Sequence, residues 1–309
     1  MSLRAGTRGS KLSLIQTDLV IDQLTRIDPG LRIEKRVIST KGDMDQHTPL
    51  LSLNQKGIFE KEIDQAVLEG KVDFAVHSMK DVPVFEQDSE LLIAATPERA
   101  SPHDVLVSKG HKTLGQLSLG SSVGTSSLLR AAQLRRVRPD LRVEPIRGNV
   151  ETRVLKVEQG TYQAAILAEA GLARLGMSER IAERLSLEDF MPAPGQGTLA
   201  IVAQRDNEKV VELLKRIEHP PTRSEAEAER ELVRLLEGGC KVPVGGLATA
   251  RGNELQLAAG ILSVDGKERL RAVRTGTVIH PSEIAGYVAE ELLDQGAKRL
   301  EEGWRQAYR

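Results

Sequence analysis

Apolar residues at Leu12, Ile15, Leu19 and Leu24 recur at helical spacing behind a short run, Leu3 to Gly6, that reads as a strand. Gly6-Thr7-Arg8-Gly9-Ser10 forms the turn between them, and Pro29-Gly30 ends the helix. Arg32 to Ser39 predicts the next strand. Phe59 to Leu68 predicts a helix that stops at Gly70, and Val72 to Val76 a buried strand leading into the polar loop His77-Ser78-Met79-Lys80-Asp81-Val82-Pro83. The order then returns. Ser122 to Gly124 reads as a strand, Leu128, Ala132 and Leu134 mark a helix, and Pro139-Asp140 closes it. Arg142 to Ile146 follows as a strand, Val150 to Glu158 as a helix halted by Gly160, and Ala164 to Ala168 as a strand. Fragments repeat between the halves: Gly6-Thr7 with Gly124-Thr125, and Pro29 to Glu34 with Pro139 to Glu144. Strands alternating with helices predict βαβ units and a largely parallel sheet in each half. Two such lobes imply a cleft, and ligands favour a cleft and the carboxyl ends of parallel strands.

Past about Pro220 the pattern changes. Glu225 to Leu236 is a charged amphipathic helix stopped by Gly238-Gly239. Leu247 to Val278 reads as a meander with turns at Gly252-Asn253 and Asp265-Gly266, and Pro281 to Leu300 as a final helix. This is a small α+β domain, opened by Cys240.

Composition narrows the classes. The 309 residues suggest two or three domains. Aromatics are only 3%, so Leu, Val, Ile and Ala must fill the cores. A net charge of −1 argues against a global pull toward nucleic acid or membrane, and charged function must come from local clustering. The single cysteine excludes an internal disulfide and a multi-cysteine zinc site. The scattered histidines offer no metal-ligand pair. No apolar run approaches the roughly 18 residues of a spanning helix, and the first residues hold no apolar signal core. The expected location is the cytoplasm, and nothing in the sequence calls for more than a monomer.

Three constellations could carry chemistry. Between Ser121 and Lys156, Arg130, Arg135, Arg136, Arg138, Arg142, Arg147, Arg153 and Lys156 outnumber the acids Asp140, Glu144 and Glu151. Thr125, Ser126 and Ser127 stand at a predicted helix start, where free N–H groups favour anions. Arginine pairs with carboxylates in a planar fork, so the stretch suits a multiply anionic small molecule. For Arg135, Arg136 and Arg138 a solvated helix face is the plainer reading. Arg147 and Arg153, beside Gly148-Asn149, favour function. Second, a buried strand delivers Lys80 and Asp81 together at its carboxyl end, where Asp81 could move a proton or stabilise a cation. Lys-Asp in a loop is more often plain surface, and His77 is more often a packed strand-end histidine than a catalyst. Third, Cys240 follows two glycines in a loop. It is open between a small buried hydrophobe and a covalent attachment point. Gly195-Gln196-Gly197 resembles a hinge between lobes and is not a dinucleotide fingerprint.

At these residues the chain resembles the porphobilinogen deaminase family. The shared motifs are GTRGSKLSLIQ (Gly6 to Gln16), KGIFEKEI (Lys56 to Ile63), DFAVHSMKDVP (Asp73 to Pro83), VGTSSLLR (Val123 to Arg130), RPDL (Arg138 to Leu141), IRGNVETR (Ile146 to Arg153), ILAEAGLARLG (Ile166 to Gly176), PAPGQG (Pro192 to Gly197) and EGGCKVP (Glu237 to Pro243). Each alone is weak; their joint presence in order is specific. The resemblance implies an α/β fold with two similar periplasmic-binding-protein-like lobes, mainly parallel sheets around a cleft, plus a small C-terminal α+β domain. Lobe 1 would be 1–96 with 197–216, lobe 2 100–193, and the C-terminal domain 220–309.

The implied activity joins four porphobilinogen rings head to tail, releases ammonia, and frees hydroxymethylbilane for tetrapyrrole biosynthesis. The implied cofactor is a dipyrromethane primer held by a thioether on Cys240. Asp81 matches the catalytic aspartate, which stabilises the pyrrole N–H and the azafulvene cation formed as ammonia leaves. Ser78, Lys80, Thr125, Ser127, Arg130, Arg147 and Gly148 match cofactor-side positions. Arg8, Ser10, Gln16, Arg147, Arg153 and Arg174 match substrate-side ones, and Phe59 an aromatic near the rings. Hand-over of product to uroporphyrinogen-III synthase is implied as well.

The sequence departs from the family pattern twice. Leu129 stands where the family usually has arginine, so one carboxylate clamp is missing, and Arg135 or a shifted Arg130 is expected to compensate. Ser10-Lys11-Leu12-Ser13 replaces Ser-Pro-Leu-Ala, and Lys11 is expected to supply some of the lost charge. The alternatives are a non-catalytic anion-binding two-lobe protein and a cysteine hydrolase. The near-complete motif set disfavours the first, and the lack of a placed histidine partner for Cys240 disfavours the second.

Overall fold

The computed structural model describes residues 2–39, 60–84, 89–237 and 243–307. In chain order its strands are β1 (Ser2–Thr7), β2 (Arg32–Val37), β3 (Phe74–Ser78), β4 (Leu91–Ala95), β5 (Asp104–Ser108), β6 (Ser122–Gly124), β7 (Arg142–Glu144), β8 (Ala164–Ala168), β9 (Glu183–Arg184), β10 (Leu199–Gln204), β11 (Val244–Arg251), β12 (Glu254–Leu262) and β13 (Arg269–Thr277). Its helices are α1 (Lys11–Ile27), α2 (Lys61–Leu68), α3 (Leu128–Val137), α4 (Val150–Glu158), α5 (Glu169–Arg174), α6 (Glu208–Lys215), α7 (Pro220–Glu237), α8 (Pro281–Asp294) and α9 (Ala297–Ala307). They form two compact units: Met1–Ala100 with Thr198–Arg223, and Ser101–Gly197 with Ser224–Arg309.

The first unit holds a five-stranded sheet ordered β2-β1-β3-β10-β4. β1 runs parallel to β2 and β3, and β10 lies antiparallel between β3 and β4. β10 is almost continuously apolar because both neighbours and both faces are covered. α1 is capped by Ser10 and buries Val20 and Leu24 together with Gln16 and Thr17. Leu19, read as part of its apolar stripe, is exposed.

The second unit repeats the order as β7-β6-β8-β5-β9, again with one antiparallel strand, β5, in the fourth place. The repeated Gly-Thr fragments close equivalent strands. Ile38 N–H bonds the Thr7 carbonyl at 2.9 Å, and Thr125 N–H bonds the Glu144 carbonyl at 2.9 Å.

The same unit includes the antiparallel meander β11-β12-β13. Leu255, Leu257, Ala259 and Ile261 alternate toward a core that Ile284, Ala285, Val288, Ala289 and Leu292 of α8 share. Gly252 turns β11 into β12 with φ +61°, where the sequence placed a turn. The predicted final helix over Pro281 to Leu300 is two helices, because Gly296 adopts φ +101° and the chain restarts at Ala297. The helix predicted from Glu225 starts earlier, at Pro220, as prolines tolerate a first turn. The strand predicted over Val72 to Val76 is shifted to Phe74–Ser78, since Asp73 turns its carboxylate onto Arg4 N–H (2.6 Å) and the Arg4 guanidinium.

Candidate active site

In the first unit, the carboxyl ends of β1 and β3 present the predicted residues. β3 is buried up to His77, and a single 3-10 turn then carries Met79, Lys80 and Asp81. Met79 points inward, 2% exposed, and its N–H bonds the Thr198 carbonyl at 3.0 Å. Val82 N–H closes the turn on the Met79 carbonyl at 3.1 Å. With the first side chain of the turn sunk and the backbone tied, Lys80 and Asp81 are held in solvent on a fixed base. Gln16, buried, donates to Ser78 Oγ at 3.1 Å, so α1 and the turn are linked. Ser10 caps α1 and bonds Ser13 Oγ at 2.8 Å, and Arg8 is half-buried beside it in sequence. His77 is the packed histidine that the plainer reading described, with Nε2 at 2.9 Å from Asp64 Oδ1 of α2.

In the second unit, the same ends of β6, β7 and β8 gather the anion-binding candidates. Ser127 caps α3 by accepting from Arg130 N–H, and Thr125 Oγ1 accepts from Ser127 N–H at 3.2 Å. Ser126 Oγ donates to the Ile146 carbonyl at 2.7 Å, which joins this helix start to the Arg147 turn. Gly148 has φ +110°, and a Cβ there would lie 2.6 Å from Thr152 Cγ2, so only glycine fits. Asn149 then caps α4 through Thr152, Arg153 Nε donates to the Gly148 carbonyl at 2.8 Å, and Lys156 Nζ to the Arg147 carbonyl at 3.0 Å. Arg174, at the end of α5, donates to the Gly197 carbonyl at 2.8 Å. Among the described residues no carboxylate pairs with it, and burial pushes its guanidinium down to about 10.

Two expectations need correction. Arg130, assigned to carboxylate binding, is buried and occupied. Its Nε and Nη2 grip Asp104 at 3.0 and 2.6 Å, Nη1 donates to the Ile166 carbonyl at 3.2 Å, and Nη2 also reaches Gln196 Oε1 at 3.1 Å. It therefore holds β5, β8 and α3 together. Leu129 is not a clamp left empty either. It is 5% exposed, in one hydrophobic cluster with Leu232, Leu236 and Val244. The expected compensation is absent: Arg130 is paired as above, and Arg135 donates to the Val264 carbonyl at 2.8 Å.

Sequence reasoning missed Asp104 and Glu229, and it read Gln196 only as part of a hinge-like Gly-Gln-Gly. Asp104 opens an otherwise apolar strand, and Glu229 falls in the apolar stripe of α7 with Ala226 and Leu232. Acids at core positions were the available signal. Cys240 and Phe59 lie outside the described residues.

The family model described as porphobilinogen deaminase, dipyromethane cofactor binding domain, matches residues 3–212, and that of the porphobilinogen deaminase C-terminal domain matches 223–294. The chain belongs to the porphobilinogen deaminase family. Among curated members, a probable porphobilinogen deaminase of Nitrosopumilus maritimus is 47% identical over 99% of this chain and 97% of its own. A porphobilinogen deaminase of Syntrophobacter fumaroxidans is 45% identical over 98% of each. Of solved structures, a substrate-binding domain of a putative amino acid ABC transporter from Streptococcus pneumoniae aligns with TM-score 0.45 and 13% identity over 70% of this chain and 91% of its own. The cofactor of the family is dipyrromethane, and the donors in the second unit fit a carboxylate-bearing group: a capped helix start at Thr125 to Ser127 and the Arg147–Gly148 turn joined to it through Ser126.

Proposed function

We propose that the chain performs the porphobilinogen deaminase reaction with Asp81 as its catalytic carboxylate and Cys240 as the attachment point of the primer. The observation that carries the first assignment is the rigid 3-10 turn that lifts Asp81 into solvent over buried Met79. As the aminomethyl carbon of an incoming porphobilinogen loses ammonia, positive charge develops on that ring. A fixed carboxylate stabilises such a charge without reorganising. The proton released when the new carbon–carbon bond forms also needs an acceptor, and Asp81 is available for it. Ser78 is oriented by Gln16 for hydrogen bonding beside this turn. When bound, the dipyrromethane supplies the nucleophilic pyrrole carbon from which the product chain grows. Thr125, Ser127, Lys80, Arg147 and Gly148 are assigned to its carboxylates, and Arg8, Ser10, Arg153 and Arg174 to those of the substrate. Arg130 supports this set from beneath through Asp104.

The reading extends to a cytoplasmic monomer that passes its product to uroporphyrinogen-III synthase. Among the described residues no helix is long and apolar enough to cross a membrane. Intact-mass measurement with a turnover assay tests the two assignments. Asp81→Asn should keep the added primer mass and lose turnover, and Cys240→Ser should lack the mass. An active Asp81→Asn enzyme, or a primer retained in Cys240→Ser, would refute the corresponding role.

A further inference from the structure

The Pro192–Gly197 turn is a junction inside the second unit. The Pro192 carbonyl accepts from Gly246 N–H of β11 at 2.9 Å. Gly195 N–H donates to Glu229 Oε2 of α7, and the other oxygen of that carboxylate accepts from Ala248 N–H of β11 at 2.8 Å. Glu229 is fully buried. A carboxylate at that depth is costly unless donors meet its lone pairs, and here backbone N–H groups from two separate segments do so. The Gln196 amide, 1% exposed, is used on both sides. Its Nε2 donates to the Pro102 carbonyl at 2.8 Å and Asp104 Oδ1 at 2.7 Å, while its Oε1 accepts from Arg130. Gly195 and Gly197 both take positive φ, +79° and +87°, a path that needs external support to stay fixed. The carbonyl at the end of this path, that of Gly197, is the group Arg174 donates to.

We infer that Glu229 and Gln196 are positioning residues for Arg174: they fix the turn whose Gly197 carbonyl aims the Arg174 guanidinium at a substrate carboxylate. The inference rests on the assignment of Arg174 to substrate. It adds that substrate affinity depends on a buried carboxylate in α7 and a buried amide in the turn, neither of which touches substrate.

The test uses holoenzyme variants Arg174→Gln, Glu229→Gln and Gln196→Met, and each of the latter two combined with Arg174→Gln. KM and kcat for porphobilinogen, thermal midpoint and intact mass are measured on each. Arg174→Gln should raise KM roughly tenfold, the loss of one charge-assisted hydrogen bond. Glu229→Gln and Gln196→Met should each raise KM by roughly three- to tenfold with kcat changed less, and add nothing further once Arg174 is already Gln. The Arg174 Nε–H NMR signal, assigned by its loss in Arg174→Gln, should shift in both positioning variants. KM effects that multiply in the double variants would show a general structural role and overturn the inference. So would an unchanged KM in Gln196→Met, should Glu229→Gln fail to fold. An unchanged KM in Arg174→Gln itself would instead remove Arg174 from substrate binding, and the positioning role would fall with it.

Discussion

Removing Asp104 should unfold the second unit at a much lower temperature. In Asp104→Ala the Arg130 guanidinium stays buried and loses its two-pronged partner, keeping only the Ile166 carbonyl and Gln196. The side chains are 11% and 1% exposed, so water cannot readily replace the carboxylate. Breaking one side of a buried ion pair costs about 3–5 kcal/mol. For a unit of this size each kcal/mol moves the midpoint by roughly 2–4 °C, so the expected fall is roughly 6–20 °C. Differential scanning calorimetry reads it directly. Arg130→Met should cost less, because Gln196 Nε2 still donates to Asp104 at 2.7 Å. The pair Asp104→Leu with Arg130→Met should recover much of the loss, since well-packed apolar side chains can replace a buried pair. A midpoint within about 2 °C of the parent in Asp104→Ala, or a double variant as unstable as the sum of the singles, would refute the assignment of Arg130 to architecture.

Further outcomes follow from the same geometry. Leu129→Ala should lose about 2–5 kcal/mol in denaturant unfolding by opening a cavity against Leu232 and Leu236, while the primer mass stays; an unchanged midpoint would place Leu129 outside the core. Gly148→Ala should lower stability by about 1–3 kcal/mol and raise KM, as a Cβ meets Thr152 and displaces the Arg147 turn. Arg174 is charged in both folded and unfolded chains below about pH 10, so it adds no pH dependence to stability there. Above that pH the folded chain releases its proton first, the unfolded chain binds more, and neutralisation favours the fold. Substrate affinity should therefore fall as pH rises through about 10 in the parent, and this fall should be missing in Arg174→Gln.

Helices α1 to α4, α7 and α8 were legible because their apolar stripes and their Gly or Pro stops are local, as at Gly70, Gly160 and Pro29, whereas α5 and α6 were not read. The meander turn at Gly252 was legible too. The strands β4, β5, β9 and β10 were not read. β5 and β10 lie inside their sheets with both faces covered, so they show no alternation, and the place of Leu199–Gln204 between β3 and β4 is decided by pairing across the fold. The site divides the same way. Asp81 with Lys80, and Arg147 with Gly148 and Arg153, are close in sequence and were found together. Arg130 was given to ligand because its partner Asp104 lies on another strand. Leu129 was weighed as a lost charge because the core it fills comes from α7 and the C-terminal sheet.

The position of β10 also orders synthesis. The first sheet cannot close until Leu199–Gln204 has been made, so β3 and β4 wait with open edges while the whole of β5 to β9 is translated. The second α/β sheet is drawn from one unbroken stretch. A nascent chain therefore has all five strands of its later sheet before the earlier sheet can close, and the open edges of the earlier one are what chaperones and proteases meet in the interval.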